Sequence, residues 1–128
     1  RVVSTPKIPE WEEVSIRLDD PRHPVNAAFE GKPFRIRDEV YIFGAPYSRE
    51  KLRVLASLDT DRMADPGKRP DKDYAISWVR AFEKGRVFYT TLGHELATYE
   101  DPVFLRHLLA GIQFAIGDLA GEIAPNPR

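Results

Sequence analysis

The chain has 128 residues, a net charge of −1, 42% hydrophobic and 30% charged residues, and no cysteine. That length suits one domain, 1–128, which buries roughly two thirds of its unfolded surface. The balance of charge supplies no basic excess to steer it to nucleic acid, and the missing cysteines exclude disulfide scaffolds, thiolate zinc sites and a cysteine nucleophile within these residues.

No apolar run is long enough to cross a bilayer, so the expectation is a soluble chain, cytoplasmic or exported, with no membrane partner. Residue 1 is arginine. The reading is therefore of a processed or trimmed chain, or of a piece of a longer one.

In chain order, "RVVSTPKIPEWEE" reads as an extended lead-in. Val14, Ile16 and Leu18 alternate with Ser15, Arg17 and Asp19, the period of a strand with one buried face. Asp20-Pro21 closes it, and "RHPVNAAF" comes next as a loop or short turn. Phe34 and Ile36 alternate with arginines. Asp38 and Glu39 interrupt before the apolar run Val40–Phe43. Gly44, Pro46 and Ser48 mark a turn, and Lys51–Leu58 is the next strand.

Nine of the fifteen residues from Asp59 to Asp73 are charged, so 59–73 reads as a solvated surface loop. Its Asp-x-Asp opening lacks the glycine and final glutamate of a calcium loop.

Tyr74, Ile76 and Trp78 alternate with smaller residues. A turn around Gly85 joins this segment to Val87–Leu92, as in a hairpin. The second run is apolar enough for a central strand covered on both faces. Asp101 is placed to cap a helix with Pro102 at its first position. Phe104, Leu105, Leu108, Leu109, Ile112, Ala115 and Ile116 give that helix an apolar face. Gly117 ends it, and Gly111 weakens it. Strands with one strong helix imply an α/β layer arrangement. A single helix covers little of such a sheet, which implies cover from another chain or from helices preceding these residues; an antiparallel domain with a single covering helix is the alternative.

The chemistry-bearing constellation is "GHE", Gly93 to Glu95. It lies just past a strand, at the edge where open α/β sheets bind ligands. His94 is the candidate acid–base group, with Glu95 and Glu39 as its carboxylates. Neighbouring side chains on an extended chain diverge, so Glu95 touches His94 only if the chain bends. His23, Asp38 and His94 form the candidate metal set, for a divalent ion such as zinc, although no His-x-x-x-His or Glu-x-x-His spacing supports it. His107 reads as a surface or boundary residue. Tyr41, Trp78 and Tyr89 read as core aromatics, with a sugar-stacking wall as the alternative.

Taken together, "RHPVNAAF", "RDEVYIF", "AISWVRAFEKGRVFYTTLGH" and "DPVFLRHLLAGIQFAIGD" resemble the ThuA-like family, named for trehalose utilisation. The match spans roughly His23 to Asp118. The sequence departs from the family pattern at Glu83, where glycine is common, and at Gln113 or Phe114, where tryptophan is frequent.

The resemblance implies a flavodoxin-like sheet, as in class I glutamine amidotransferases, incomplete here at its N-terminal side. This chain would be the C-terminal half of the domain. It would be partnered by the N-terminal half or another chain, or form a homo-oligomer. His94 stands where the last strand of those amidotransferases delivers the histidine of a Cys-His-Glu arrangement, with Glu95 directly after it. The proline usual between histidine and glutamate is missing, as is the cysteine, so glutamine hydrolysis is not implied. What is implied is sugar or keto-sugar-derivative metabolism, with hydrolase- or isomerase-like chemistry on a small carbohydrate. A non-catalytic carbohydrate-binding or structural module is the alternative.

Overall fold

The computed structural model describes residues 2–4, 13–62 and 69–127. Five strands form the main sheet: β2 (Val14–Leu18), β3 (Phe34–Ile36), β5 (Arg53–Leu58), β6 (Ala75–Phe82) and β7 (Gly85–Thr90), in the order β3-β2-β5-β6-β7. A separate short ladder pairs β1 (Val2–Ser4) with β4 (Ile42–Phe43). The one α-helix among the described residues, α1, runs Pro102–Ile116. The protein thus mixes helix and strand, as its sequence pattern implies. No described helix is long and apolar enough to cross a membrane.

Every pair of described strands is antiparallel, whereas a flavodoxin-like sheet is parallel. The central position expected for Val87–Leu92 is not found: β7 is the last strand of the sheet. The reason is the short link before it. Phe82 pairs with Gly85 across a turn of Glu83 and Lys84, and a two-residue link can only return the chain antiparallel. Glu83 has φ 51. This is the first central position of the turn, where type II′ geometry favours glycine, so glutamate there costs on the order of 1 kcal/mol.

β7 has cover on both faces despite its edge position. Phe88 packs into the cluster of Val25, Leu55, Val79 and Phe114. Tyr89 stacks on Trp78 at 4.2 Å on the other side. Two-sided cover makes the segment look central, although on one side it comes from α1 and on the other from an aromatic cluster.

α1 begins and ends as its sequence dictates. The Asp101 carboxylate accepts from the Val103 amide, Pro102 takes the first turn, and Gly117 closes the helix at φ 95. Phe104, His107, Gly111 and Phe114 form its buried face. Gly111 is more than a weak point in the helix: a Cβ there would lie 2.2 Å from the Phe88 ring, so only glycine lets α1 approach β7 this closely.

His107 corrects the surface reading, being 1% exposed. Its Nδ1 donates to the Val25 carbonyl at 2.8 Å, and its ring packs between Phe29 and Phe88. The polarity that suggests a boundary is satisfied inside by that carbonyl and by Ser77 Oγ at 3.4 Å from Nε2.

"RHPVNAAF" contains a 3₁₀ turn, Pro24–Phe29, capped by His23. His23 Nδ1 accepts from the Val25 amide, so Nε2 carries the proton and donates to the Glu122 carbonyl at 2.9 Å. Two imidazoles therefore bind this 3₁₀ turn to α1 and to the tail behind it.

Burial, the largest influence, pushes the His107 imidazole down to about 4 and lowers His23 in the same direction. The folded state then binds fewer protons than the unfolded chain between about pH 6.5 and 4. Stability is fully present above that window and is lost as pH falls through it, by up to about 3 kcal/mol for His107. Urea unfolding at pH 7 and pH 5 should show this loss. His107→Gln should be less stable at pH 7 and show a flatter pH dependence. A variant with an unchanged pH slope would contradict the assignment.

Candidate active site

The site forms where the stretch between β3 and β4 meets the loop leaving β7. Val40 and Ile42 are buried in the main core. Period-two alternation therefore turns Glu39 and Tyr41 the other way. The Tyr41 amide donates to Thr91 Oγ1 at 3.1 Å, stitching the two segments together just before Gly93.

Asp38 organises the loop beyond Thr91. It is 6% exposed. Its Oδ1 accepts from the amides of Glu39 at 2.9 Å, His94 at 3.0 Å and Glu95 at 3.1 Å. Its Oδ2 accepts from the Gly93 amide at 2.6 Å and from Thr98 Oγ1 at 2.9 Å. The bend that points three successive amides at one carboxylate needs Gly93, whose φ is 111. A Cβ on Gly93 would lie 2.6 Å from the Tyr99 hydroxyl, so that half-exposed side chain would have to shift as well. After Glu95 the chain enters a 3₁₀ turn, Leu96–Glu100, and then α1.

This bend carries His94 to Glu39. Nδ1 of His94 lies 2.9 Å from Glu39 Oε2. The carboxylate can only accept, so Nδ1 carries the proton, which leaves Nε2 as the lone-pair nitrogen of the neutral ring. Among the described residues no partner contacts Nε2. The side chains are 53% and 34% exposed, respectively. An ion pair this open contributes only about 0–1 kcal/mol to stability, so its worth to the fold is small. Chemically, it is an imidazole oriented by a carboxylate, with its second nitrogen available to take or give a proton.

The other expected residues fall elsewhere. Glu95 adjoins the pair through its backbone, but its exposed carboxylate has no partner among the described residues. His23 is buried against Phe114 with both ring nitrogens engaged. Phe114 is near the C-terminal end of α1, whereas His94 precedes its N-terminal end. His23 and His94 share no contact among the described residues.

The described residues therefore do not assemble His23, Asp38 and His94 around an ion. The Asp38 oxygens are already filled by five donors, and His23 has no free lone pair. No group of three or more metal-binding side chains occurs among the described residues. Tyr89 and Trp78 stack on each other and meet Phe43 edge-on, as core aromatics do.

Sequence reading misses two features. Thr98 is one; its position three residues after Glu95 gives no signal without the bend. The other is a buried ionic network. Arg49 donates to Asp73 through Nε at 3.1 Å and Nη2 at 2.7 Å, to Asp19 at 3.1 Å, and to Ser57 at 3.0 Å. The Tyr47 hydroxyl donates to Asp73 at 2.7 Å, and its burial pushes the phenol pKa upward. A cavity of about 400 Å³ opens beside it, lined by Tyr47, Arg49, Arg69, Asp71 and Asp73 among others. Arg69 also bonds Asp71 and the Phe43 carbonyl. The charged 59–73 segment therefore has a buried end at Asp73. Residues 63–68 of that segment, like most of the lead-in, lie outside the described residues.

Fold and site together define a small mixed helix–strand domain with a carboxylate-oriented surface imidazole. The family model for trehalose utilisation, ThuA, matches residues 3–115, and the chain belongs to that family. That places it in a context of sugar metabolism. Neither a curated protein nor a solved structure matches the chain.

Proposed function

We propose that His94 is the acid–base group of a site acting on a sugar or keto-sugar derivative, in hydrolase- or isomerase-like chemistry. The observation that carries this reading is the 2.9 Å contact between His94 Nδ1 and Glu39 Oε2, which orients the ring and leaves Nε2 free. In the proposed step Nε2 accepts a proton from a substrate hydroxyl or an acidic C–H and returns it to the developing product. Glu39 stabilises the imidazolium formed in between. Glu95 is a second carboxylate next to the pair, able to accept from substrate hydroxyls. The family context of sugar use supports this substrate class.

With a panel of sugars and keto-sugars, His94→Ala should lower turnover by about 10²- to 10⁴-fold. Its melting temperature should stay close to wild type, because the side chain is exposed. Unchanged turnover would remove His94 from the mechanism. Sugar binding without turnover, persisting in both His94→Ala and Glu39→Ala, would favour a carbohydrate-binding module instead.

A separate observation supports a second reading, that this chain is the C-terminal portion of a larger domain. Leu105, Leu109, Ile112 and Ile116 lie 43–67% exposed along one side of α1. Arg106 is the only charged residue between Pro102 and Ile116. A solvated helix face is ordinarily rich in charge. In this reading the stripe packs against elements that precede this chain. Leu109→Lys with Ile112→Lys should change the stability of the 128-residue chain by less than about 0.5 kcal/mol. The same pair should destabilise a longer natural chain carrying this segment by several kcal/mol, of the order seen for charges placed in a core. Equal, negligible effects in both would overturn the reading.

A further inference from the structure

We infer that Asp38 is the positioning residue of the His94–Glu39 pair, a role that rests on the reading of His94 as the acid–base group. It is neither a ligand nor a group that meets substrate. An ionised carboxylate offers about four lone-pair sites, and Asp38 already accepts five hydrogen bonds. It has nothing left to offer a metal or a substrate hydroxyl.

Its reach is what gives it this role. The two members of the pair come from segments 55 residues apart. Neither side chain is held firmly by its own surroundings, because both are partly open to solvent. An exposed pair of this kind gains little and loses side-chain entropy on forming. The backbone on each side is fixed by the same carboxylate, however. One oxygen holds the Glu39 amide and the His94 amide together, at 2.9 and 3.0 Å. Gly93, Glu95 and Thr98 fix the loop around that point. Asp38 therefore sets both Cα positions from which the imidazole and its carboxylate meet, and the pairing is preorganised from beneath. A carboxylate that merely closed the turn before the Leu96–Glu100 segment would do the same for stability, but it would not influence which ring nitrogen of His94 holds the proton.

That difference supplies the test. The side-chain nitrogens of His94 report the tautomer directly in ¹⁵N-resolved NMR. In the wild type at neutral pH the proton should sit on Nδ1. Asp38→Asn replaces an acceptor oxygen with an amide that cannot receive all five donors. Thr98→Val removes one bond and keeps the shape. Glu39→Ala is the reference for a lost partner. Asp38→Asn should lower the ratio of Nδ1–H to Nε2–H forms about five-fold, the bias of roughly one hydrogen bond, to near the Glu39→Ala value. Thr98→Val should fall between. If Asp38→Asn does not fold, Thr98→Val decides alone. A folded variant that keeps the wild-type ratio overturns the inference. The measurement needs no substrate, so it fails or succeeds separately from the proposed reaction: unchanged turnover in His94→Ala would remove the chemistry and leave the tautomer result standing.

Discussion

A single buried carboxylate has to satisfy five donors, and the local structure follows from that need. Asp38 sits at the junction between a buried strand-like segment and the loop leaving β7. Burying a charge without partners is costly, and its loss would strand the donors as well. The loop bends through Gly93 because only that bend delivers three successive amides to the two oxygens. The position of His94 on the surface is a consequence of this requirement, and so is its meeting with Glu39.

The three histidines illustrate how surroundings divide one residue type into separate jobs. His23 and His107 are buried and held neutral, and they bind a 3₁₀ turn to α1 and the tail. Their protonation would oppose folding. His94 lies in the loop that follows β7, open to water, with one nitrogen spoken for. Only this third imidazole combines orientation with an available lone pair, which is the combination acid–base work requires. The Arg49–Asp73 network plays a quieter part. Arg49 is satisfied by Asp73, Asp19 and Ser57, while Asp19 Oδ2 is buried with no hydrogen-bond partner among the described residues, and the network anchors the turn that carries Tyr47.

Much of the fold is legible in the sequence because its signals are local. The caps of α1, at Asp101 and Gly117, and the alternation in Val14–Leu18 depend on neighbours a few residues away. The antiparallel hairpin of β6 and β7 is legible from its short turn, but the place of β7 at the edge of the sheet is not. Val87–Leu92 carries the apolar run of a central strand, but cover from α1 and from Trp78 produces the same run at an edge. His107 misleads for a similar reason: a lone histidine on a helix says nothing about a carbonyl 82 residues distant waiting to receive its proton. At the site, His94 and Glu39 stand out as interruptions of apolar pattern. Asp38 stands out too, but in the guise of a metal ligand. Its true partners are mostly backbone amides, which leave no mark on sequence.

The oriented pair depends on the Asp38 anchor, and hydrogen exchange of the amides of Gly93, His94 and Glu95 tests that anchor most directly. These amides lie in a loop outside any strand or helix ladder. If one carboxylate holds all three, they should exchange much more slowly than neighbouring exposed amides such as Ala97, and Asp38→Asn should release them together. Exchange in the wild type at the rate of an unstructured peptide would contradict the anchor, and with it the preorganised pair.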